Sequence, residues 1–181
     1  MNVAVISCSL HPNSRSYVLA RDMAAVLAEL DAEVAFHDLR EYDLELRGRP
    51  GAHETGQARE IANSLRQADA ILVAVPIYCF DVNAAAKNLV ELTGGAWEGK
   101  VVGFLCAAGG RSSYMSVMPL SNSLMLDFRC IIIPRFVYAT GEDFENDRAE
   151  DMRVGSESIR DRIRELAEAA VRIGGALAAA V

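Results

Sequence analysis

Three short stretches of this sequence carry side chains that could do chemistry. The first is Ser7-Cys8-Ser9-Leu10-His11-Pro12-Asn13-Ser14-Arg15-Ser16. It supplies hydroxyls at Ser9, Ser14 and Ser16 and a guanidinium at Arg15, just ahead of a helical pattern. Unpaired amides and the dipole at a helix amino terminus both favour an anion. Hydroxyl and guanidinium donors reach phosphate oxygens at close range. The stretch therefore reads as a phosphate site, although it lacks glycine and matches neither GxGxxG nor a Walker-type loop. A plain helix cap at Asn13 or Ser14 is the competing reading. The second stretch, Pro76-Ile77-Tyr78-Cys79-Phe80-Asp81-Val82-Asn83, places two aromatics and an isoleucine directly after an apolar run. Such side chains are costly in water and could wall a flat, mostly apolar ring, or else pack beneath their own loop. The third, Ala107-Ala108-Gly109-Gly110-Arg111-Ser112-Ser113-Tyr114, pairs glycines where a backbone can come close to a ligand, or simply turn tightly.

The elements around these stretches would bring them together. Apolar runs of strand length at 2–7, 33–39, 70–75 (ended by Pro76), 101–107 and 130–138 alternate with segments of helical period. Pro134 marks the last of these strands as an edge or bulged one. The first helix shows Leu19, Met23, Val26, Leu27 and Leu30 on one face. Further helices are expected near 54–67, at 83–93 (stopped by Thr93-Gly94-Gly95), and at 113–127, where Pro119 kinks or delays the start. After an acidic loop, 141–151, a last helix repeats Ile159, Ile163, Leu166, Ala170 and Ile173. That stripe suits core packing and also permits a contact between subunits. Strict alternation predicts an α/β fold, a three-layer sandwich around a five-stranded parallel sheet of order 2-1-3-4-5 with right-handed crossovers. Ligands of such sheets lie beyond the carboxyl ends of the strands, near the reversal between the first and third. All three stretches fall there.

Composition narrows the classes. The chain of 181 residues suits a single domain, 1–181, and 51% apolar residues are enough for a sizeable core. A net charge of −7 argues against nucleic-acid and anionic-membrane partners. No apolar run approaches the ~20 residues that span a bilayer, and Met1 to Ile6 reads as a strand rather than a leader. Cys8, Cys79, Cys106 and Cys130 have no CxxC spacing and no partner histidines, which argues against zinc and a disulfide framework. Cys8, Cys79 and Cys106 fall at or near one sheet edge, which would suit redox thiols, but they read as small core residues; His37 and His53 read as surface or loop residues, and the protein as cytoplasmic. Residues 41–53 read as a long loop of no assigned role.

Taken in order, these residues resemble the NADPH-dependent FMN reductase family, and in particular the small flavin reductases that serve sulfonate monooxygenases. Ser9 to Ser16 stands where the family has a pattern like GSxRxxSxS. Pro76-Ile77-Tyr78 followed by Ala86-Lys87-Asn88-Leu89 stands for its Pro-x-Tyr loop and Leu-Lys-Asn-like triplet. Gly109-Gly110 stands for its Gly-Gly pair. The likeness runs from residue 2 to about 140, and it implies a flavodoxin-like fold.

It also implies an oxidoreductase that binds FMN and NADPH or NADH. Ser9, His11, Ser14, Arg15 and Ser16 would hold the FMN phosphate. Pro76, Ile77, Tyr78, Cys79, Phe80 and Asn83 would border the ring and ribityl chain, and Ala108, Gly109, Gly110 and Arg111 the pyrimidine edge. Cys8 replaces a common glycine and His11 a common arginine, which implies a looser grip on the phosphate and FMN that exchanges. Hydride would pass from the nicotinamide to the flavin N5, so no catalytic side chain is expected. Reduced FMN would go to a flavin-dependent monooxygenase, or stay bound and reduce a quinone, azo dye, metal oxyanion or oxygen. Arg47, Arg49 and Arg111 are candidates for the 2′-phosphate of NADPH. The resemblance also implies a homodimer or homotetramer. The rival readings are a flavodoxin-like electron carrier fed by a partner protein, and a non-redox α/β module that binds no flavin.

Overall fold

Strand residues point alternately to opposite faces, so a strand that is apolar throughout needs cover on both sides. The computed structural model describes residues 1–179. In chain order its elements are β1 (Asn2–Ser7), α1 (Arg15–Glu29), β2 (Glu33–Asp38), α2 (Gly56–Gln67), β3 (Ala70–Tyr78), β4 (Asp81–Val82), α3 (Ala84–Thr93), β5 (Val101–Ala107), α4 (Met118–Phe128), β6 (Ile131–Ile132), β7 (Val137–Ala139), β8 (Phe144–Glu145), β9 (Arg153–Val154) and α5 (Glu157–Ala178). One face of the sheet, with Ile6, Ile71, Val73, Val102 and Phe104, packs on Ile61, Leu65, Leu89, Trp97, Leu120 and Leu124 of the α2, α3 and α4 side. The other face, with Val3, Val5, Leu72 and Leu105, packs on Leu19, Met23 and Leu27 of α1 and Ile159, Ile163 and Leu166 of α5. Each such aliphatic side chain contributes about 1.5–3 kcal/mol on full burial.

The main sheet runs β2-β1-β3-β5-β6, with β7 also on β5 and β4 on β3. It is therefore seven-stranded rather than five-stranded, although its parallel positions follow the expected order. Two local causes account for the difference. Pro134 and the left-handed Arg135 (φ 60°) split the last strand, and both halves still pair with β5, at Val101–Ile131 and Leu105–Val137. At the other end of its path the chain after Pro76 does not stop. It continues to Tyr78 and folds back antiparallel as β4. Pro119 delays α4, as expected: a 3-10 turn over Arg111–Val117 precedes the helix and the proline sits in its first turn.

His37 is not a surface or loop residue. It is buried in β2, with Nε2 2.7 Å from Ser64 Oγ and Nδ1 2.9 Å from Tyr42 OH. Its partners come from α2 and from the loop after β2, so no local pattern announces them. Among the described residues no helix is long and apolar enough to cross a membrane.

Candidate functional site

The carboxyl ends of β1, β3 and β5 open into a cleft of about 160 Å³, lined by Ser9, Ser14, Arg15, Ser16, Pro76, Ile77, Tyr78, Ala107, Ala108, Gly109 and Arg148. All three expected stretches thus contribute to one site. His11, Cys79, Phe80, Asn83, Gly110 and Arg111 lie outside that lining. The cleft is smaller than the ~300–1,000 Å³ of a pocket that swallows a whole ligand. It fits a phosphate and the chain attached to it, with a ring lying over the open rim.

The floor is made of hydroxyls on buried residues. Ser9, Ser14 and Ser16 are each no more than 3% exposed. Ser14 caps α1 by accepting from the Tyr17 amide at 3.2 Å, and its Oγ lies 2.9 Å from Ser16 Oγ. Ser9 Oγ accepts from the His11 amide at 3.2 Å, and His11 Nδ1 accepts from the Asn13 amide at 3.1 Å. The exposed His11 imidazole therefore shapes the loop. The amides of Arg15 and Ser16 open the helix and have no carbonyl a turn earlier to bond, so they remain available to an anion. No acidic residue occupies that first turn.

Arg15 borders the cleft but is committed elsewhere. Its Nε and Nη2 donate to the two carboxylate oxygens of Asp147 at 2.7 and 2.6 Å, and Nη1 donates to Ala108 O at 3.2 Å. The fork holds the Asp147 carboxyl below its ordinary pKa. A second guanidinium, Arg40, grips Asp38, donates to Pro12 O at 2.7 Å and lies 4.2 Å over the Tyr17 ring. Arg148 is the cation that remains beside the serines. It lies in the loop between β8 and β9, and no local motif marks it.

Pro76 explains how the second stretch is anchored. β1 and β3 pair up to Ser7–Ala74, and the Cys8 amide adds a last rung to Ala74 O. The next rung would need an N–H from residue 76, which proline lacks. Asn83 Nδ2 takes that place and donates to Cys8 O at 2.7 Å. Asn83 Oδ1 is left buried without a partner among the described residues. Between β3 and β4, Cys79 (φ 52°) and Phe80 (φ 61°) form a two-residue turn with both backbones left-handed. That geometry closes hairpins well but suits Asn-Gly far better than Cys-Phe. Its effect is to leave Tyr78 and Phe80 half or more exposed on the rim.

On the third stretch, a Cβ added to Gly109 or Gly110 would meet nothing within 4 Å, so the glycines border open space. Tyr138 donates to Gly110 O at 2.5 Å and accepts from Ser113 Oγ at 2.7 Å. Tyr114 stacks on Phe136 at 4.7 Å. Tyr138, which sequence patterning did not single out, therefore fixes this loop. Arg111 is exposed and reaches Glu142 at 3.4 Å. Cys8 and Cys106 are core residues, and burial pushes both thiols up, away from the reactive thiolate, whereas Cys79 is not a core residue, because the β3–β4 turn leaves it exposed.

The site has a helix amino terminus, buried hydroxyls, open space over glycine and an aromatic rim. These fit a ligand with a phosphate, a polyhydroxy chain and a flat ring. The model of the NADPH-dependent FMN reductase family matches residues 1–145. An NAD(P)H-dependent FAD/FMN reductase of Geobacillus thermodenitrificans is 25% identical over 139 residues, 76% of this chain and 73% of its own. An FMN reductase (NADPH) of Pseudomonas aeruginosa is 26% identical over 178 residues, 96% and 92% of the two chains. Among solved structures, FerB, an NAD(P)H:(acceptor) oxidoreductase of Paracoccus denitrificans, superposes with a TM-score of 0.75 at 20% identity, over 96% of this chain and 97% of its own. The fold is the flavodoxin-like one.

Proposed function

The chain belongs to the NADPH-dependent FMN reductase family and is an oxidoreductase that uses FMN and NAD(P)H; we propose that its FMN lies in the cleft at the carboxyl ends of β1, β3 and β5. The observation that carries this placement is the floor of buried serines under the open end of α1. Ser9, Ser14, Ser16 and the Arg15 and Ser16 amides hold the phosphate. Asn83, outside the lining, serves the site by anchoring the turn after Pro76 to Cys8 O. Tyr78 and Phe80 cover the ring at the rim, and the Gly109–Gly110 backbone lies along its polar edge. FMN supplies the chemistry when bound, accepting hydride from the nicotinamide at N5. The chain's own part is to orient that ring, shield it from water and offer backbone amides to charge that develops on it. No side chain has to move a proton.

The electrons would go on to a flavin-dependent monooxygenase or to a small acceptor such as a quinone, azo dye, metal oxyanion or oxygen. The test is anaerobic stopped-flow absorbance of the FMN-loaded protein after mixing with NADPH or NADH. Rapid bleaching that saturates with nicotinamide supports direct hydride transfer and ranks the two donors. FMN that binds but stays oxidised would move the assignment to an electron carrier fed by a partner.

A further inference from the structure

The family match ends at residue 145, yet the lining of the cleft includes one residue beyond it, Arg148. We propose that Arg148, carried by the β8–β9 hairpin, is the guanidinium that meets the cofactor phosphate, and that Arg15 instead ties that hairpin to the site. The inference rests on the placement of FMN in this cleft.

Arg15 holds the position expected of a phosphate-binding arginine, but its donors are committed. Nε and Nη2 form a fork on Asp147, Nη1 is on Ala108 O, and the Asp147 carboxylate answers its charge. It also packs closely over Gly141, where an added Cβ would stand 2.5 Å from Arg15 Nη2. Moving Arg15 onto a phosphate would break a two-bond ion pair and leave Asp147 facing the anion.

Arg148 is in the opposite situation. It lines the cleft beside Ser9, Ser14 and Ser16, and it forms no ion pair with a carboxylate among the described residues. Asp147, its neighbour on the same loop, is already forked by Arg15, though it still feels the Arg148 charge. One Arg148 donor is used, Nη1 to Asn13 O at 3.0 Å, and Asn13 Nδ2 returns a bond to Arg148 O at 2.8 Å. This reciprocal clasp fixes the hairpin against the serine loop while most of the guanidinium stays free. The hairpin itself is rooted in the core through Phe144, Met152 and Val154, all buried. A phosphate here meets one free guanidinium and otherwise neutral donors. That is enough to select a phosphorylated flavin and light enough to let it exchange.

The test is equilibrium titration of the full chain and of Arg148→Ala and Arg148→Lys with FMN and with riboflavin, followed by flavin fluorescence. Losing a charge-assisted hydrogen bond is expected to weaken FMN roughly 10- to 100-fold in the alanine variant, with partial rescue by lysine. Riboflavin, which has no phosphate, should bind both variants as it binds the parent. The salt dependence of FMN affinity should be shallower in the alanine variant. Equal FMN affinity in parent and alanine variant would overturn the proposal. Equal loss of FMN and riboflavin would also overturn it, by making Arg148 a structural residue. If the parent itself binds neither flavin, the placement of FMN in the cleft fails first.

Discussion

Gly109 and Gly110 are not glycines for conformational reasons, since neither has a left-handed backbone. What their missing side chains provide is open space beside the cleft. Gly109→Ala should therefore fold with an unchanged melting temperature while FMN binds about tenfold more weakly, the ~1.4 kcal/mol lower end of an overpacking cost. A drop in melting temperature with intact FMN affinity would show that the space belongs to the fold and not to the ligand. At the same scale, His37 gives the protein a defined acid sensitivity. Burial lowers its pKa, and Glu60, reached through Tyr42, offsets that only in part. The native state thus resists a proton that the unfolded chain accepts. Stability is unaffected above the ordinary histidine pKa and falls as pH drops below it. Thermal melts from pH 7 to pH 5 should show a fall that is flatter in His37→Gln; parallel curves for the two proteins would exclude His37 as the cause.

Among the elements, the β3–β4 hairpin is where local preference and function conflict. Cys79 and Phe80 hold left-handed backbones that asparagine and glycine adopt at much lower cost. Cys79→Asn with Phe80→Gly is expected to stabilise the protein by about 1 kcal/mol and, by removing a rim aromatic, to weaken FMN. A denaturant midpoint that does not rise would show the turn is not strained. The same hairpin shows what sequence patterning can and cannot reach. Periodicity in 2–7, 70–75 and 101–107 placed the central strands and hence the cleft, because burial on both faces leaves no other reading. It ended β3 at Pro76, because the rung proline cannot make is supplied by Asn83 from beyond the turn. The gathering of Ser9, Ser14 and Ser16 at the start of α1 was legible from their place ahead of a helical pattern. The commitment of Arg15 to Asp147, and the presence of Arg148, were not, since those contacts span 132 and 135 residues.

For the whole molecule, the distribution of apolar surface argues about assembly. The stripe on α5 that might have joined subunits is used internally, with Ile159, Ile163, Leu166 and Ala170 all buried against the sheet. The helix that stays apolar where it should be polar is α4. Leu120 and Leu124 face the core, yet Met118 and Met125 remain more than a third exposed and Leu126 is 76% exposed, with Met115 just ahead at 61%. A surface helix normally turns a charged face to water, and a helix apolar on both sides is usually covered on both. The homo-oligomer that the family resemblance implies would have this surface to use, and a second copy of this chain is the occupant to test for. Light scattering after size exclusion should give at least twice the 19.6 kDa chain mass. Met125→Lys with Leu126→Lys should give the monomer without loss of fold, because neither side chain belongs to the buried core. A parent that elutes as a monomer would leave the α4 face without that role, and an oligomer that survives both lysines would place the subunit contact elsewhere.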